Sequence, residues 1–158
     1  MSIISGGSGA LSLTRATLTD AQVKAVPTTP VTVIAAPGAG KAIMILTAWM
    51  RLDARGGAYT NLTGLEVQLN YGAAALAPAS AAYVEASQGA FADASAAHVL
   101  GSFDDQTGGS AFASWMAEIA TVTNSPVTVF FSGTTGNLTG GNAANSLTVD
   151  VLYHVLTL

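Results

Sequence analysis

The chain has 158 residues, enough for one domain that buries roughly two-thirds of its unfolded surface without a covalent or metal staple. It contains no cysteine, which excludes disulfides, thiol catalysis and thiolate metal sites together. Only 9% of residues are charged and the net charge is −4, with five scattered Lys and Arg residues. That balance argues against a nucleic-acid binder, and the low charge implies that subunit contacts cover much of the surface.

The opening residues are small, polar and glycine-rich, with neither a basic n-region nor an apolar h-region, so no secretory leader is expected. Residues 1–13 read as a flexible arm that a partner holds, with Ser2, Ile3, Ile4, Leu11 and Leu13 as its contacting side chains. Thr19 then offers an N-cap and Gln22 the reciprocal partner of a capping box, while Leu18 and Val23 occupy the two positions of a hydrophobic staple. Pro27 ends this helix after about two turns, because the residue before a proline is pushed out of the helical region.

Residues 31–36 form a β-branched strand, and Pro37-Gly38-Ala39-Gly40 is a turn cluster. Residues 41–53 read as a long strand, with Ala42, Met44, Leu46, Ala48, Met50 and Leu52 on one face. The other face carries Ile43, Ile45, Thr47 and Trp49, then Arg51 and Asp53. Residues 65–71 alternate cleanly, as a strand with one wet face does. A short strand is expected near Tyr83 and Val84, and residues 89–101 are left open between helix and strand. Phe112, Trp115, Met116 and Ile119 fit a helical spacing after a Ser110 cap. Residues 127–131 form a strand, and residues 133–145 a Gly/Asn/Thr loop whose small polar side chains suit surface or sugar contacts.

The last 13 residues, 146–158, are the most regular β segment of the chain. Leu147, Val149, Val151, Tyr153 and Val155 share one face; the other begins polar at Thr148 and Asp150 and turns apolar at Leu152, Leu156 and Leu158. A strand wet on one side has no reason to make that change. Ile43, Ile45 and Trp49 together with Leu152, His154, Leu156 and Leu158 are therefore the expected subunit interface. Short strands punctuated by Gly, Pro and Asn, without an internal repeat, predict an all-β, antiparallel, jelly-roll-like β-sandwich over residues 14–158 with one or two short helices.

Recognisable chemistry is scarce. Ala36-Pro37-Gly38-Ala39-Gly40-Lys41 imitates a phosphate-binding loop, but Ala35 stands at the first glycine position and Ala42 at the magnesium-binding hydroxyl position. The following residues also read as a strand and not the required helix, so a glycine turn is expected. His98 and His154 are the only histidines and lie on different elements, and Asp104-Asp105 lacks the remaining ligands of a calcium loop. Glu66, Glu85 and Glu118 have no spacing that pairs two of them for acid–base work. Neither an enzymatic activity nor a cofactor or metal is expected. The sequons at Asn61 and Asn137 are expected to go unused.

Two stretches carry a resemblance. Residues 17–41, from Thr17-Leu18-Thr19-Asp20 to Ala39-Gly40-Lys41, resemble the opening of small proteins encoded among tailed-bacteriophage and prophage structural genes. Residues 139–153, Thr139-Gly140-Gly141-Asn142 onward to Tyr153, resemble their closing loop and strand. The resemblance covers about a quarter of the chain and implies an oligomeric virion component with a β-sandwich. The reading that follows is a capsid decoration (cement) protein, made in a bacterial cytoplasm and resident in the virion. Its partners would be copies of itself, with a trimer favoured, and the major capsid protein or other virion proteins; neither nucleic acid nor membrane is expected. The alternative is a tail or head-fibre component or a host-receptor-binding module.

Overall fold

The computed structural model describes residues 11–72, 82–84, 91–92, 97–103 and 123–158. Within them the chain runs β1 (Ser12–Thr19), α1 (Asp20–Ala25), β2 (Val31–Ile34), β3 (Lys41–Asp53), β4 (Tyr59–Thr60) and β5 (Glu66–Tyr71). It continues through β6 (Ala82–Val84), β7 (Ala97–Phe103), β8 (Val127–Ser132), β9 (Thr139–Gly140) and β10 (Ser146–Thr157). The protein is all-β and its sheets are antiparallel. One four-stranded sheet has the order β1-β10-β3-β7 and the other β2-β8-β5-β6, while β4 and β9 form a short ribbon.

β1 begins at Ser12, so the last two residues of the expected arm, Ser12 and Leu13, belong to the first sheet, paired with Tyr153 and Leu152. Sequence reading missed this strand because its inward residues, Ser12, Thr14 and Ala16, are small or polar until Leu18. Ser2, Ile3 and Ile4 lie outside the described residues, as does the helix expected around Phe112 and Trp115. The span left open at 89–101 runs into β7.

α1 has six residues, close to the two turns expected. Its capping box is complete: the Thr19 N–H donates to Gln22 Oε1 at 3.0 Å, and the Gln22 N–H donates to Thr19 Oγ1 at 3.4 Å. The staple residues Leu18 and Val23 are both buried, which fixes the corner where β1 turns away from the first sheet.

The inner faces of both sheets share one hydrophobic cluster. Leu18, Met50, Leu52, Leu147, Val149 and Val151 come from the first sheet, and Val67, Leu69, Val127, Val129 and Phe131 from the second. Phe91 sits between Tyr59 and Phe131, with ring centroids at 5.7 and 5.6 Å in tilted and edge-on contacts that favour aromatic pairing.

β3 departs from simple alternation. Leu152 pairs with Thr47 but Tyr153 pairs with Ile45, so Leu46 is an extra residue without an opposite number, a β-bulge. The bulge reverses which side chains face inward. Ala48, Met50 and Leu52 are buried beyond it, and Ile43 and Ile45 before it. The Ile45 N–H donates to the Tyr71 hydroxyl of the second sheet at 3.4 Å, tying the kink to the opposite layer. Ile43 and Ile45, expected at a subunit contact on the face of Trp49, are therefore core residues. An unbroken period of two put them on the wrong side.

The connections cross closely at one place. Gly64 and Gly133 have φ of +74° and +81°, and a β-carbon on Gly133 would overlap the Gly64 carbonyl oxygen. Glycine is required there for both backbone conformation and space.

Candidate functional site

The outward face of the first sheet holds what the structure offers as a site. Register across β1, β10 and β3 defines its rows. Thr17, Thr148 and Arg51 stand together, then Arg15, Asp150 and Trp49, then Leu13, Leu152 and Thr47. Past the bulge come His154 with Met44 and Leu156 with Ala42, and the Leu158 N–H closes the end by donating to the Gly40 carbonyl at 2.8 Å. The face is polar at one end and apolar at the other.

The large hydrophobic side chains exposed among the described residues are Leu11 (64%), Leu13 (64%), Leu46 (39%), Trp49 (43%) and Leu158 (57%). All five belong to this face, its bulge or its end, and Met44, Leu152, His154 and Leu156 between them are only half-buried. Scattered exposed leucines need no explanation, but a continuous strip of them does. Of the seven side chains expected at the subunit contact, the structure brings Leu152, His154, Leu156 and Leu158 together on this strip. Trp49 lies at its polar border, and Ile43 and Ile45 are buried on the opposite side. Leu11 and Leu13, expected to belong to the arm, join the strip.

The polar end encloses a shallow open depression of about 280 Å³ lined by Arg15, Thr17, Arg51, Thr148 and Asp150. Arg15 donates to both carboxylate oxygens of Asp150, from Nε at 2.6 Å and Nη2 at 3.0 Å. This forked pair holds the Arg15 guanidinium above its ordinary pKa, first by hydrogen bonding and then by charge. The Arg51 side chain makes no hydrogen bond or ion pair with a described residue, although its charge helps to lower the Asp53 pKa. The nearby Asp53 is occupied by Arg55, whose Nε and Nη2 donate to its Oδ2 at 3.0 and 2.7 Å and lower its pKa. Sequence reading missed this depression because Arg15 and Asp150 are separated by almost the whole chain, and only the β1–β10 register joins them.

The other candidates resolve into structure. Gly38 and Gly40 have φ of +100° and +69° in the turn before β3, and Lys41 is the first residue of that strand, with its N–H donating to the Gly38 carbonyl. That is the expected glycine turn and not a phosphate loop. The 133–145 loop is fastened to the body of the protein. The Leu138 N–H donates to the Lys24 carbonyl, Asn61 Nδ2 to the Asn137 carbonyl and Asn145 Nδ2 to the Gly57 carbonyl, while Leu138 and Asn145 are buried. Beneath it, Asp20 pairs with Lys24 at 2.6 Å and its Oδ1 lies against Gly141, beside the buried Tyr59 hydroxyl. Burial pushes the Tyr59 phenol well up, and does the same at Tyr71. This knot joins α1, β4 and β9.

Among the described residues no group of three or more His, Asp or Glu side chains is placed to hold a metal ion, and no helix is long and apolar enough to cross a membrane. Asp104, Asp105, Glu85 and Glu118 lie outside the described residues. Comparisons with family models, curated proteins and solved structures find no match for this chain.

Proposed function

We propose that the chain is a non-enzymatic structural protein of a phage particle, a capsid decoration protein that binds the head as a symmetric oligomer, with a trimer favoured. The observation that carries this reading is the apolar strip on the first sheet. Its leucines border a face whose inner side already closes a complete core, so folding of one chain does not require them. A second copy seated there removes them from water, at roughly 25 cal/mol for each Å² of apolar surface covered. Leu152, Leu156 and Leu158 form the centre of the contact, with Leu11, Leu13 and Leu46 at its margin.

Strand order supports the architecture expected of such a protein. With the short β4–β9 ribbon set aside, the eight remaining strands run 1-8-3-6 in one sheet and 2-7-4-5 in the other. That order supports a jelly-roll-like sandwich, in which two Greek keys wrap around one core. The two stretches that resemble phage structural proteins also meet in space: Thr17, Leu18 and Thr19 pair with Thr148, Leu147 and Ser146. The resemblance therefore falls on one joined piece of the fold.

The test is binding to heads that lack this protein. Purified chain mixed with such heads should co-sediment and appear by electron microscopy as many regularly spaced copies. A stable monomer that stays in the supernatant contradicts the proposal. Binding confined to the tail or to fibres selects the alternative place in the particle.

A further inference from the structure

We propose that the polar end of the same face is a binding site for a saccharide that carries a carboxylate. The proposal is independent of the subunit contact and uses only side chains in three adjacent rows of β1, β10 and β3. Two of the chain's five basic residues, Arg15 and Arg51, line one small depression in a protein of net charge −4. Their situations differ. Arg15 is committed to Asp150 through two hydrogen bonds, which align the two groups in the lining of the site. The Arg51 side chain makes no hydrogen bond or ion pair with a described residue, and Asp53, on which its charge acts, is hydrogen-bonded by Arg55.

Each lining group then has a distinct task. The Arg51 guanidinium, whose donors no described residue takes, fits a carboxylate with two parallel hydrogen bonds. Asp150 keeps lone pairs that accept from sugar hydroxyls, and the Thr17 and Thr148 hydroxyls donate or accept as required. Trp49 borders the depression, two residues from Arg51 on β3 and opposite Asp150 on β10, with 43% of its surface exposed. Its electron-rich ring offers a platform for the slightly positive C–H face of a pyranose. The depression, about 280 Å³ and open to solvent, admits one ring at the end of a longer glycan and not a large ligand. Chemistry excludes the simpler occupants. A bare carboxylate leaves Trp49 and Asp150 unused, a neutral sugar leaves Arg51 unpaired, and a polyphosphate meets Asp150 and an acidic protein.

The full chain titrated with galacturonate, with galactose and with acetate tests this by amide and indole NMR shifts. Galacturonate is expected to move the Thr17, Arg51, Thr148 and Asp150 amides and the Trp49 indole. Galactose should act on the same signals about tenfold more weakly, and acetate should leave the indole unmoved. Arg51→Gln should reduce galacturonate to the level of galactose without changing the melting temperature, and Trp49→Ala should weaken both sugars. Leu156→Asp should leave binding intact, which separates this site from the subunit contact. The proposal is overturned if acetate reproduces the galacturonate shifts, if Arg51→Gln binds galacturonate as the parent does, or if galacturonate moves none of these signals.

Discussion

The two ends of one sheet face are made from the same three strands and reach opposite chemistry. On the polar end, rows of Thr17, Thr148 and Arg51 and of Arg15, Asp150 and Trp49 leave charged and hydroxyl groups in water around a depression. Past Trp49 the strip built on Leu13, Leu152 and Leu156 begins, over an inner face that carries Ser12 and Thr14 on β1 and the half-buried Tyr153 and Val155 on β10, whereas Val149 and Val151 under the polar half are fully buried. The tighter core lies under the polar half, so core packing does not call for leucines outside the other half. On the functions proposed above, each half meets a different neighbour outside the chain: water and a small polar ligand at one end, a protein surface at the other. The bulge at Leu46 lies within the apolar half, where it keeps Ile43 and Ile45 in the core while turning Leu46 outward.

The most damaging way to break this arrangement is the double change Ile43→Asp and Ile45→Asp, which places two carboxylates in the core. Burial of an Ile side chain contributes about 1.5–3 kcal/mol, so the loss of two is roughly 3–6 kcal/mol. Urea denaturation should show a collapse of the unfolding midpoint, or no cooperative transition at all. Deletion of Leu46 should do far less, because Ile45 then stands next to Thr47 in regular alternation and keeps Tyr153 as its partner and the core as its side. Met50→Ala, under the polar half, should cost about 2–5 kcal/mol in the same assay, because it opens a cavity in a fully buried site. A similar loss from Leu152→Asp would erase the distinction between inner and outer faces.

Alkaline pH sharpens the contrast from the inside. Tyr59 and Tyr71 have folded-state pKa values raised above the unfolded value of about 10, because burial disfavours the phenolate. The folded chain thus holds these protons more tightly than the unfolded one. Stability is complete below about pH 10 and falls as pH rises beyond it. Phenolate absorbance should rise in step with unfolding, while the outer face keeps its assembly up to that point. The smallest effect is expected from Arg15→Ala: the pair with Asp150 is exposed, so the unfolding midpoint should stay where it is, even as sugar binding declines.

Much of this was legible in the chain. The split of residues 146–158 into an apolar face and a face that changes character is a local pattern, and β10 keeps it because its own alternation is unbroken. The Thr19–Gln22 box is local too, and was readable for the same reason. β3 was half legible: a bulge is set by pairing with a neighbour, not by β3's own sequence, so Ile43 and Ile45 were placed on the wrong face. β1 hid behind its small and polar inward residues. The depression at Arg15, Arg51 and Asp150 is a product of register between strands from opposite ends of the chain, and no spacing rule within one segment reports it.

The central claim is that the apolar half of the outer face is a contact between copies and the inner face is not. It is tested most directly by measuring solution mass and melting temperature for the parent chain and for Leu156→Asp. The account predicts an oligomer, most simply a trimer, for the parent and a folded monomer for the variant, with a cooperative melt for both. A parent that is monomeric at high concentration, or a variant that loses folding and assembly together, contradicts it.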